Sequence, residues 1–234
     1  MQLKRILVLS LVLAVVGGIA TFAIPASHWV RSELQRRAEE PAPVLANPQE
    51  ARQIIATVLA EKNYHYHGLP LPPPKNGKTI RVKEKRDLVV SAVSVCFRAE
   101  HAPQSPHCMA YPADSVQAVE LDGFASRKLR EELILANANP RPLDLKGLPN
   151  TEVVDPSEVK ALLTSRFWKG FYEQFPQTAG WVQASMPVLT KDRQNALVYI
   201  SHSCDGLCGT GTLYYLSRTA DGWTVTRDFL LWVS

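Results

Sequence analysis

The sequence predicts an α+β domain, with helices packed on one face of a curved antiparallel sheet, behind a single N-terminal transmembrane helix. Three observations carry this reading. The chain opens with nineteen uncharged residues, Ile6 to Ile24, preceded by Lys4 and Arg5. Two later segments share a helix-entry signal, Asn47-Pro48 and Asp155-Pro156, each ahead of an apolar stripe at helical spacing. The last third consists of β-branched and aromatic runs separated by turn residues.

A nineteen-residue helix reaches about 28 Å at about 1.5 Å per residue, close to a hydrocarbon core of about 30 Å. The apolar region of a secretory signal is shorter, about 7–15 residues, yet Thr21 and Ala23 offer small residues for cleavage. Residues 1–24 are therefore a signal-anchor or a signal peptide. Lys4 and Arg5 keep the N-terminus inside, so the rest of the chain is expected in the periplasm or outside. The protein is then held to the inner membrane through residues 6–24 or, alternatively, secreted after cleavage. Residues 25–47 read as a spacer and residues 48–234 as one extracytoplasmic domain.

Within that domain, Asn47 caps, Pro48 takes the first helical position and Glu50 the third, from which it reaches back to the cap. Ala51, Ile54, Ile55, Val58 and Leu59 form the apolar face of a helix running to about Asn63. The proline-rich stretch 68–78 is a stiff connection. Residues 79–83 and 87–97 read as two strands of a hairpin around Glu84 to Arg86. Phe124, Leu129, Leu133 and Ala136 mark a helix ended by Pro140. Asp155, Pro156 and Glu158 open a longer one, in which Val159, Leu162, Leu163, Phe167, Phe171 and Phe175 share a face. Strands follow over 181–189, 195–204, 211–219 and 222–234, with Asp221-Gly222 as a turn. The architecture that this order suggests is cystatin-like or NTF2-like, helices cradled by a curved sheet.

Charge excludes one class of partner. The net charge of +4 falls to +2 once Lys4 and Arg5 are set aside, and the basic cluster at 81–87 contains its own acids. A nucleic-acid binder would carry a stronger basic patch.

The segment Ser201 to Gly211, SHSCDGLCGTG, concentrates the residues that could do chemistry. A cysteine nucleophile needs a histidine base, and His65, His67, His101 and His107 all lie in helix-end or proline-rich settings. A metal site would use His202, Cys204 and Cys208, three ligands where zinc or copper usually takes four, with His65 or His67 as a distant fourth. A thiol–disulfide exchange site has two residues between its cysteines and a helix after the first; here three intervene between strands. The simplest reading is a structural disulfide. Four cysteines in two local pairs suit an oxidising compartment, and of three possible connectivities Cys96–Cys108 with Cys204–Cys208 is ranked first. Asp205 and Gly206 supply the turn, and Gly209 and Gly211 a bend at the next strand. Elsewhere Glu100, Asp114, Asp122, Asp155 and Asp192 show no spacing of a catalytic pair, and Ser201 and Ser203 no nucleophile elbow.

Residues 166–226 resemble a pattern in uncharacterised exported bacterial proteins. It comprises an aromatic helix ending in Phe175-Pro176, the strand Ala196-Leu197-Val198-Tyr199, the turn Cys204-Asp205-Gly206-Leu207-Cys208-Gly209 and a final tryptophan strand at Trp223. That resemblance implies a shared structural turn and no activity. The sequence is read as a domain that binds a protein or envelope partner, without catalytic residues or cofactor. The competing reading is a periplasmic metal-binding protein or enzyme built on His202, Cys204 and Cys208.

Overall fold

The computed structural model describes residues 40–66, 85–98, 110–112 and 116–234. The anchor at 6–24, the strand at 79–83, His67 and Cys108 lie outside the described residues. Among those described, no helix is long and apolar enough to cross a membrane. The fold below is that of the compact unit Ala42–Ser234.

The first element is β1 (Val44–Leu45), which pairs antiparallel with a later strand, β7 (Val188–Leu189). These two residues, assigned to the spacer by the sequence reading, thus already belong to the sheet. Helix α1 (Pro48–Glu61) follows, and its capping box forms as the residues dictate. The Asn47 side chain accepts from the Glu50 amide at 2.9 Å, and the Glu50 carboxylate accepts from the Asn47 amide at 3.0 Å.

Residues 87–97 do not form one strand. The Ser91 hydroxyl donates to the Val93 carbonyl at 2.7 Å and accepts from its amide, folding the chain between β2 (Leu88–Ser91) and β3 (Cys96–Arg98). Strand β3 pairs in a separate small sheet with β4 (Ala110–Pro112). Strand β2 lies parallel between β5 (Thr151–Val154) and β6 (Trp181–Ala184). Helix α2 (Arg127–Ala136) lies between β2 and β5 in the chain, and helix α3 (Pro156–Gln174) between β5 and β6. The sheet is therefore mixed, not antiparallel throughout. The four residues of β2 are all buried, so no polar–apolar alternation advertises a parallel strand.

The antiparallel part is a meander of β8 (Asn195–Asp205), β9 (Cys208–Thr219) and β10 (Gly222–Val233). The expected strand 181–189 breaks at Ser185–Pro187 into β6 and β7, which lie end to end along one edge of β8. Bulges between Val225 and Arg227 and between Leu230 and Trp232 curl the outer strand.

Side chains alternate across β8, and the alternation sorts the core. Ala196, Val198 and Ile200 pack with Ile54, Ile55 and Val58 of α1. Leu197 and Tyr199 pack with Leu129 and Leu133 of α2. Val89 and Trp181 pack with Val159, Trp168 and Phe171 of α3, on the face opposite Val90 and Val182. Helices thus cover both faces of the sheet, where one face was expected. Buried strand residues are apolar on both sides, and each side has to be covered.

Helix α3 also departs from its expected stripe. Phe167 adopts φ 55° and ψ −152°, a kink that rotates the remaining turns. Phe167 swings out to 58% exposure, and Trp168 takes the buried position beside Phe171 and Phe175.

Candidate functional site

The Ser201–Gly211 segment forms the β8–β9 hairpin end. Cys204 and Cys208 are joined by a disulfide with their Cα atoms 5.1 Å apart. Asp205 accepts from the Gly206 amide at 2.8 Å within the turn, and the register shifts between Ser203 and Asp205. Tyr172 of α3 donates its hydroxyl to the Cys204 carbonyl at 2.8 Å, tying the hairpin to the helix. Cys96 is likewise disulfide-bonded.

His202 faces the core. It is 3% exposed, its Nε2 lies 2.8 Å from the Ala179 carbonyl, and its ring packs 5.5 Å from that of Tyr64. The chain approaches so closely here that a Cβ on Gly180, whose φ is +120°, would strike the Ser203 carbonyl and the His202 ring. With both sulfurs bonded to each other, His202 has no thiolate beside it. Among the described residues no group of three or more histidines, cysteines or carboxylates could hold a metal.

The register shift between Ser203 and Asp205 falls opposite Gly209 and Cys208, where a bend was expected, and the glycines serve a second purpose as well. Gly209 pairs with Ser203 and Gly211 with Ser201, and Trp232 of β10 lies over both glycines. A Cβ on Gly211 would collide with the Trp232 indole and the Tyr199 hydroxyl. Of the acids singled out, Glu100 and Asp114 lie outside the described residues, and the other three have structural partners. Asp122 pairs with the buried Arg130, Asp155 caps α3, and Asp192 accepts from Thr190 at 2.6 Å and the Gln194 amide at 3.0 Å.

Two features at this level carry no sequence motif. The first is an apolar tip. Leu207, at the apex of the disulfide turn, is 89% exposed, and the Phe167 ring lies against Gly206 beside it, where an added Cβ would sit 3.4 Å away. The second is a cleft of about 250 Å³ at the C-terminal end of α1. Leu59, Ala60 and Leu148 give it an apolar wall, and His65, Tyr66 and Lys85 bring polar groups to it. The His65 Nδ1 lies 2.9 Å from the Arg86 carbonyl. Because a carbonyl only accepts, Nδ1 carries the proton and Nε2 of the neutral ring keeps its lone pair. Burial lowers the His65 pKa, helped by the Lys85 charge, against the Arg86 carbonyl and Asp87, which raise it.

Two polar links, one buried and one part-buried, brace the sheet. The Tyr64 and Tyr214 hydroxyls meet at 2.6 Å, and burial raises the pKa of both. Glu50, beyond its capping role, accepts from Arg193 and from Arg218 at 3.0 Å, joining α1 to β9 and to the turn before β8. A capping glutamate three residues after Asn47 is legible in the sequence; its distant arginines are not.

Compared with known proteins, the chain matches no family model, no curated protein and no solved structure.

Proposed function

We propose that this chain is a binding domain of the cell envelope, tethered by residues 6–24 and engaging a protein partner through the tip formed by Phe167 and Leu207. The observation that carries the reading is Phe167 itself. A bulky residue in this backbone region costs about 1–3 kcal/mol and persists only where its surroundings impose it. Here that cost places a large apolar ring in solvent, against a turn already pinned by a disulfide and crowned by Leu207. A phenylalanine and a leucine with no core to fill are suited to a partner's apolar pocket.

Strand β1, where the chain enters the sheet, pairs with β7 opposite Ala196 and Leu197 of β8. The disulfide turn lies at the other end of β8, about 27 Å away at about 3.4 Å per residue. The cystatin-like or NTF2-like likeness rests here on the β8–β10 meander alone. Metal or enzyme chemistry at His202, Cys204 and Cys208 gains no support from a bonded cysteine pair and a core-facing imidazole, and we do not propose it.

The test is photocrosslinking of the full-length chain in its native membrane, with the diazirine analogue of leucine in place of Leu207, so that the aliphatic side chain is kept. A discrete protein adduct that disappears in Phe167→Ser is the expected result. Failure to form any discrete adduct, or an adduct indifferent to Phe167→Ser, would overturn the proposal.

A further inference from the structure

We infer that the cleft at the end of α1 is a binding site for a small organic acid with a short apolar chain and one hydrogen-bond donor, either a hydroxyl or an amide N–H. The cleft shares no lining residue with the Phe167–Leu207 tip.

Four properties of the cleft define the ligand. Its volume, about 250 Å³, is roughly that of eight waters at about 30 Å³ each, which suits a chain of about six carbons with its head group. One wall is apolar: Leu59 and Ala60 of α1 line the cleft together with Leu148, and Leu59, 2% exposed, belongs to the core. The apolar chain lies there.

His65 supplies the third property. Its ring is largely buried, Nδ1–H is engaged by the Arg86 carbonyl, and the lowered basicity keeps the ring neutral at neutral pH. Nε2 therefore offers a lone pair and no proton, and it has no hydrogen-bond partner among the described residues. An imidazole nitrogen that only accepts, reached from the cleft, favours a ligand that donates to it. The neighbouring Asn63 and Tyr66 hold the ring in place as parts of the same tight turn, in which the Tyr66 amide donates to the Asn63 carbonyl at 2.9 Å.

Lys85 is the fourth. It is exposed at the cleft, forms no ion pair among the described residues, and its charge is felt at His65. The nearby carboxylate of Asp87 accepts from the Asn150 amide nitrogen at 3.2 Å. An ammonium beside an apolar pocket attracts a carboxylate at the mouth. Donor, chain and carboxylate then occupy one small molecule, of which 3-hydroxyhexanoate is a simple representative.

Binding is measured on the full-length chain carrying ¹³C-methyl alanine, by titration with 3-hydroxyhexanoate, hexanoate and 1,3-hexanediol. The expected result is a saturable shift of the Ala56 and Ala60 methyl signals by 3-hydroxyhexanoate. Hexanoate, which lacks the donor, binds about fivefold more weakly, and the diol, which lacks the charge, weakens by a similar factor. Lys85→Ala reduces affinity for the acid and leaves the diol unchanged. Ala60→Trp, at an exposed helix position that tolerates a large side chain, fills the cleft and abolishes the shifts. Three results would overturn the inference: no saturable shift at millimolar acid, equal binding of hexanoate and its hydroxy derivative, or shifts that survive Ala60→Trp.

Discussion

Asn137 and Met186 are joined by two hydrogen bonds through one side chain. The Asn137 Nδ2 donates to the Met186 carbonyl at 2.9 Å, and the Met186 amide donates to the Asn137 Oδ1 at 2.7 Å. The same Nδ2 donates to the Leu133 carbonyl at 2.8 Å, so one fully buried amide closes the end of α2 and braces the corner between β6 and β7.

Removing that amide leaves a buried N–H and two carbonyls without partners, each a loss of about 1 kcal/mol or more. Asn137→Ala is expected to destabilise the domain by about 3 kcal/mol in urea unfolding. Asn139→Ala, two residues on and exposed, should stay within about 0.5 kcal/mol of the parent.

Gly211 permits Trp232 to donate its indole N–H to the Tyr199 hydroxyl at 2.9 Å across the sheet. Gly211→Ala forces the indole aside and should cost about 1–3 kcal/mol, the usual range for overpacking. Its cost should shrink when Trp232 is already alanine, a coupling that a double-mutant cycle measures directly. Gly123→Ala, where a Cβ meets nothing within 4 Å, is the neutral control.

Acid should destabilise the fold in two separable windows. His65 has a folded pKa below its ordinary value of 6.5, chiefly through burial. The unfolded chain therefore takes up the proton first, and stability declines as pH falls below about 6.5 toward the folded value. For Glu50, burial acts to raise the pKa, but hydrogen bonds from Arg193 and the Asn47 amide, with the charges of Arg193 and Arg218, outweigh it and leave the carboxyl below 4.5. Its contribution is complete above the unfolded pKa and is lost as pH falls below about 4.5. Thermal unfolding across pH should show His65→Gln flattening the upper window and Glu50→Gln the lower one. Interchange of the two effects would contradict these assignments.

The Cys204–Cys208 bridge closes a loop of only four residues in sequence separation. Chain entropy assigns about 2 kcal/mol to so short a loop. The double substitution Cys204→Ser, Cys208→Ser is expected to lower stability by about that amount while the far-ultraviolet spectrum is retained. Loss of the whole β8–β9 signal would show that the turn depends on the bridge for its existence.

Local signals were the legible part of this fold. The capping box at Asn47 and Glu50, the cap at Asp155, the disulfide turn and the β8–β10 meander all arise from residues within a few positions of one another. What escaped the sequence reading depends on distant partners. Strand β2 is four buried residues whose parallel neighbours begin sixty or more positions later, and nothing in Leu88–Ser91 encodes them. Helices on both faces follow from that same double burial. The cleft joins α1 to Lys85 and Leu148 only after folding, so no motif announces it. Phe167 is the most instructive miss: its spacing to Val159, Phe171 and Phe175 places it in the apolar stripe, and the kink at its own φ removes it.

That kink yields the prediction that separates stability from function. Glycine adopts φ 55° without a Cβ clash, so Phe167→Gly relieves backbone strain while deleting an exposed ring. Glycine also gains entropy in the unfolded chain, which offsets about 0.4–1 kcal/mol of that relief. The expected net result is a domain more stable by about 1 kcal/mol that no longer crosslinks from position 207. Phe167→Ala keeps the strained conformation and should lose the crosslink without gaining stability. If Phe167→Gly instead destabilises as much as Phe167→Ala, the ring supports the turn from outside, and its exposure has a structural cause. A gain in stability paired with loss of the adduct identifies strain retained for binding, because the residue that harms the fold is then the one the partner requires.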